Sequence, residues 1–101
     1  MANLSTDLTR DDAFPYFLWD QPMTVAELRR KLRTGSPAER ARLLGKILRE
    51  ARDPDVWRFT TPQEVAAEWG TLSRHLGRRR DFWTFLLGRW RAQGLLHDRP
   101  A

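Results

Sequence analysis

Three helix-start signals recur along this chain, and each marks where a helix begins more tightly than apolar periodicity does. Thr24 with Glu27, Ser36 with Glu39 and Thr61 with Glu64 have capping-box spacing, in which the hydroxyl accepts one orphan N–H and the glutamate reaches back to another. Pro37 and Pro62 stand at the first helical position, where a missing N–H costs nothing. Met23 and Leu28 add a hydrophobic staple to the first start. Starts this close together leave room only for short helices, so the chain must bury its apolar stripes by packing helix on helix.

The stripes follow each start. Val25, Leu28 and Leu32 form a narrow face, with Arg29, Arg30, Lys31 and Arg33 toward the C-terminal end, where the helix dipole favours cations, and Gly35 as the C-cap. Leu43, Leu44, Ile47, Leu48 and Ala51 line the second helix, which Asp53 and Pro54 stop before a short turn through Trp57 and Phe59. Val65, Trp69, Leu72 and Leu76 line a third. Gly70 weakens its middle by roughly 1 kcal/mol relative to alanine, so either a neighbour packs closely there or the segment divides. Gly77 closes it, Arg78 to Arg80 form a linker, and Asp81 is placed to cap the last helix. From Phe82 to Gln93 the run FWTFLLGRWRAQ is apolar over more than half its circumference, which predicts a central helix. Gly94 ends it, and Leu95 and Leu96 add a last contact.

The stretch Phe14 to Asp20, FPYFLWD, cannot itself be a core helix, because Pro15 interrupts it and Pro22 follows. Its four aromatics and one leucine must therefore dock. The Phe82–Gln93 helix is the expected receptor, and Phe14, Phe17, Trp19, Asp20, Trp57 and Trp83 are the expected structural anchor, with Trp19 in the core. Asp20 either caps the turn into Gln21 and Pro22 or pairs with an arginine of the body; capping is the reading taken here. The expected fold is all-α: a compact orthogonal bundle of four main helices plus one short helix, with an extended N-terminal aromatic anchor. Residues 1–13 are expected as a flexible acidic arm, 14–96 as a single helical domain and 97–101 as a flexible tail.

Charge and composition narrow the function. The net charge of +5 understates the basicity of the body, because Asp7, Asp11, Asp12 and Asp20 against Arg10 make the first 22 residues acidic. Of the 18 basic residues only Lys31 and Lys46 are lysines. An arginine surface suits bidentate binding of phosphates or carboxylates, and it equally reflects the codon usage of a GC-rich genome. The densest positive charge is at Arg78, Arg79 and Arg80, followed by Arg89 and Arg91, which are the candidate partner- or phosphate-binding residues; a charged linker before a capped helix is the competing explanation. The absence of cysteine excludes disulfides and thiolate metal sites and fits a reducing cytoplasm. No apolar run is long enough for a membrane span, and the N-terminus lacks a signal pattern. The only histidines are His75 and His97, and no glycine-rich phosphate loop occurs, so no cofactor or metal is expected and an enzyme is the least expected class.

Three segments together resemble a known family: PYFLWD at Pro15–Asp20, ILREARDPDVWRFTTPQEV at Ile47–Val65 and HLGRRRDFWTFLL at His75–Leu87. They are similar to small bacterial proteins, themselves without an assigned activity, that carry an N-terminal aromatic-Trp-Asp motif and are often encoded beside a nucleotidyltransferase toxin of the abortive-infection class. The matching positions are Phe17, Trp19, Asp20, the Asp55–Trp57 turn and the Arg78–Trp83 segment. The resemblance implies a cytoplasmic antitoxin of a toxin–antitoxin system that neutralises or regulates its nucleotidyltransferase partner by direct protein contact. The alternative is a DNA-binding, helix-turn-helix-like repressor using the helices Pro37–Arg52 and Pro62–Leu76, with DNA or RNA held by the basic face.

Overall fold

The computed structural model describes residues 4–96. The hydroxyl half of each of the three capping boxes forms: the N–H groups of Glu27, Glu39 and Glu64 donate to the hydroxyls of Thr24, Ser36 and Thr61, each at 3.1 Å. They open α1 (Val25–Thr34), α2 (Pro37–Glu50) and, after the single turn α3 (Asp53–Val56), α4 (Pro62–Ala67). The remaining helices are α5 (Trp69–Leu72) and α6 (Arg80–Ala92), joined by 3₁₀ turns at Ser73–His75 and Gly77–Arg79. Helix accounts for 65 % of the described residues, but a two-stranded pair is also present, so the fold is mostly helical and neither strictly all-α nor a four-helix bundle.

The expected helix from Pro62 to Leu76 is divided, and not by its glycine. The break falls at Glu68, whose φ of −102° and ψ of 13° leave the helical well. Its carboxylate is held by Arg40 at 3.1 and 3.2 Å, while the Arg40 Nε donates to the Leu32 carbonyl at 2.7 Å. One guanidinium thus ties the end of α1, the start of α2 and the α4–α5 junction together. A Cβ on Gly70 would meet nothing within 4 Å, so close packing does not explain that residue. Asp81 does not cap α6 either, which begins one residue earlier at Arg80 with no side-chain cap.

Residues 4–13, read as an arm, are placed against the body. β1 (Leu4–Ser5) pairs in parallel with β2 (Phe14–Pro15), aligning Leu4 with Phe14 and Ser5 with Pro15. Leu8 is buried in the core. The carbonyls of Ala13 and Asp11 accept the N–H groups of Val25 and Ala26 at 2.9 and 3.0 Å, so the lead-in satisfies donors that the first turn of α1 would otherwise leave unpaired. The expected tail, 97–101, lies outside the described residues.

The centre of the molecule is α2, not α6. Ala41, Leu43, Leu44, Gly45, Lys46, Ile47 and Leu48 are all buried, and α1, α3, α5 and three 3₁₀ turns pack on it. Gly45 permits one of these contacts, since a Cβ there would collide with the Cβ of His75. In α6 only Trp83 and Leu87 are fully buried, and Phe85 is 59 % exposed. Its broad apolar girth is met by arginines as well as by neighbours: Arg79 lies 4.3 Å from the Phe82 ring centroid and Arg89 lies 5.8 Å from that of Phe85.

Candidate functional site

FPYFLWD turns through a 3₁₀ helix at Tyr16–Leu18 and docks on α2, which corrects its expected receptor. Phe17 and Leu18 are buried, and Phe17 meets Tyr16 and Phe59 edge-on at 5.3 and 5.8 Å. The Tyr16 hydroxyl donates to Asp55 and accepts the Arg52 N–H, both at 2.7 Å, which fastens the segment to the α2–α3 corner. Burial pushes that phenol's pKa up. Phe14 is half-buried in β2. Trp19 is not a core residue: it is 62 % exposed, with its ring 5.0 Å from the Lys46 ammonium. Asp20 is not simply a turn cap, because its carboxylate pairs with Lys46 at 2.9 Å. The hydrogen bond from Lys46 holds the Asp20 pKa below the usual carboxylate value. Sequence reasoning considered only arginine partners and so missed this lysine.

The five candidate arginines do not converge. Arg79 is committed to structure: its Nη2 lies 2.8 Å from Asp53 and its guanidinium stacks on Phe82, which staples the 77–79 turn to α3. Arg78 and Arg80 are exposed, and their side chains make no hydrogen bond or ion pair among the described residues. At 100° and 1.5 Å per residue, Arg80 and Arg91 share a stripe of α6 about 16 Å apart, while Arg89 points to the far side. Nor does a helix-turn-helix outline survive intact, since α4 has six residues and is followed by the break at Glu68. A reader helix of that length spans only about 9 Å.

What the chain does assemble is an aromatic groove. Trp83 is fully buried, with its indole N–H donating to the Leu48 carbonyl at 3.0 Å. Trp57 packs edge-on against Trp83 at 5.7 Å and Trp90 at 5.9 Å. The C-terminus of α6 then folds back across Trp90 by a Schellman motif: the Leu95 N–H reaches the Trp90 carbonyl at 2.8 Å, and the Gly94 N–H reaches that of Arg91 at 3.0 Å. Gly94 supports this turn with a φ of +76°. Leu95 and Leu96 consequently join Trp57, Pro62 and Trp90 around an apolar groove of about 250 Å³. Leu95 is 63 % exposed and Trp57 36 % exposed, although Leu96 is buried. The available sequence signal was Gly94 followed by a leucine, the hydrophobic contact that accompanies such C-caps.

Chemically, this arrangement offers apolar burial. Among the described residues, no three metal-ligating side chains gather, and no helix is long and apolar enough to cross a membrane. His75 is half-buried, its Cβ facing Gly45 and its carbonyl accepting Arg49 at 2.6 Å. Comparison with protein families, with characterised proteins and with solved structures finds no match to this chain.

Proposed function

We propose that this chain is an antitoxin-like binding protein that neutralises or regulates a nucleotidyltransferase-type toxin by direct contact, and that the Trp57–Trp90–Leu95 groove is its docking face. The groove carries the reading. It exposes large apolar side chains on a rigid aromatic support, the arrangement that supplies binding energy at protein interfaces. Its apolar lining selects a partner segment that presents a bulky apolar side chain. The kind of partner comes from the family resemblance of Pro15–Asp20, Ile47–Val65 and His75–Leu87.

Co-expression with a nucleotidyltransferase toxin of the abortive-infection class tests both parts. The wild-type chain should co-purify and relieve toxicity, and Leu95→Asp should abolish both without lowering the melting temperature. Failure of the wild type to associate would remove the toxin partner, whereas equal binding by Leu95→Asp would remove the groove. The alternative, a DNA-binding repressor, draws on the exposed Arg78 and Arg80. It requires promoter binding with a steep salt dependence that is lost in the Arg78→Ala, Arg80→Ala double variant.

A further inference from the structure

A second concavity, of about 550 Å³, opens on another part of the molecule, where the C-terminal half of α1, the first turn of α2 and the connection into α4 meet. Leu32 and Phe59 contribute its apolar lining, while Arg29, Arg33, Arg40 and Glu64 bring charge to it. We propose that this cleft binds a small phosphomonoester bearing a flat, N–H-donating apolar group, the chemistry of a mononucleotide. The proposal is independent of the groove.

The three arginines differ in what they have left to give. Arg40 is spent on Glu68 and the Leu32 carbonyl. Arg29 is pre-positioned: one Nη donates to the Arg58 carbonyl at 2.8 Å and its guanidinium lies 4.8 Å from the Phe59 ring centroid. It has no carboxylate partner among the described residues, and the rest of its five-donor fork remains open. Arg33 makes no hydrogen bond or ion pair among the described residues. Arg29 and Arg33 lie one helical turn apart on α1 and line the same cleft, a like-charge spacing that disfavours the helix unless an anion enters between them. Two unneutralised guanidiniums match a phosphate dianion in charge and in bidentate geometry.

The rest of the lining argues against bare phosphate. The Glu64 carboxylate accepts the Thr61 hydroxyl at 3.3 Å, and it repels a free anion while offering acceptors to N–H groups. Leu32 and Phe59 provide apolar surface for a planar ring. The volume lies in the range of small-molecule sites. A ligand with phosphate at one end and a hydrogen-bond-donating base at the other satisfies both charges, and guanine, with adjacent N–H donors, suits a carboxylate best.

Amide NMR titrations of the full chain with guanosine monophosphate, guanosine and inorganic phosphate, at physiological salt, test this. The nucleotide should shift Leu32, Arg33 and Phe59 and bind at least about ten-fold more tightly than phosphate or guanosine. Arg33→Ala, at an exposed and unpaired position, should weaken nucleotide binding by about ten-fold at unchanged melting temperature. Glu64→Gln should strengthen the binding of phosphate. Absence of shifts in the cleft, shifts centred instead on Arg78 and Arg80, or undiminished affinity in Arg33→Ala would each overturn the proposal.

Discussion

The ammonium of Lys46, on a residue only 9 % exposed, lies 2.9 Å from the Asp20 carboxylate and 5.0 Å from the Trp19 ring centroid. The last two residues of FPYFLWD thus serve as lid and counter-ion for a charge on the central helix, while Phe17 and Leu18 of the same segment enter the core. Asp20→Asn leaves that cation without its counter-charge and should lower the melting temperature, whereas Lys46→Met, which removes the buried charge and keeps the apolar stem, should stay near wild type. Thermal melts of the two variants compare them directly; equal destabilisation would show that the ion pair itself, rather than the unpaired charge, dominates.

The same pair sets a pH dependence. The Asp20 pKa is lower in the folded chain than its ordinary value near 3.8, so the folded state binds its proton more weakly than the unfolded state does. Its contribution is fully present above that ordinary value and is lost as pH falls through the folded-state pKa. Acid unfolding should therefore be less steep in Asp20→Asn than in the wild type below about pH 4, as read by circular dichroism.

Trp83 and Trp19 should behave oppositely. Trp83→Ala removes a fully buried indole and its bond to the Leu48 carbonyl, for a loss of about 3–5 kcal/mol. Trp19→Ala, at a ring 62 % exposed, should cost about 1 kcal/mol or less through its contact with Lys46. Urea unfolding measures both; an unfolded Trp19→Ala chain would contradict its exposed placement.

Two glycine substitutions separate propensity from packing. Gly70→Ala meets open space in a helical backbone and should stabilise by about 0.5–1 kcal/mol. Gly45→Ala carries the same propensity gain but drives a methyl into His75, and should destabilise by about 1–3 kcal/mol. Denaturant midpoints decide between these signs.

Gly94→Ala should act at a distance on the groove. Its φ of +76° disfavours any Cβ, so the substitution loosens the Schellman turn that carries Leu95 and Leu96 back over Trp90. A stability loss of about 1 kcal/mol and weaker partner binding are expected, although residue 94 is not part of the groove lining. Unchanged binding would mean that Leu95 keeps its place without the turn.

Local chemistry was legible in the sequence wherever the interacting groups stand within a few residues of one another. Thr24, Ser36 and Thr61 cap where their glutamates predicted, and Pro37 and Pro62 take the first helical positions. The anchor was legible in part: Phe17 and Trp83 are core, yet Trp19 is not. An aromatic residue in a short anchor satisfies hydrophobicity equally by burial or by covering a cation, and sequence spacing does not distinguish the two. Within the arginine cluster, Arg79 is taken up by Asp53, a residue far along the chain, which sequence spacing does not show either.

The sequence by itself thus determined where α1, α2 and α4 start and which stripes are apolar, because a cap or a stripe is made of neighbours. Only the tertiary structure decided that α2, not α6, lies at the centre, and that Arg40 holds the break at Glu68. It also decided that Leu95 closes a groove with Trp57, a residue just after α3. Those outcomes depend on which long-range contacts win the competition for the same aromatic rings and guanidinium groups, and that competition is settled only when the whole chain packs at once.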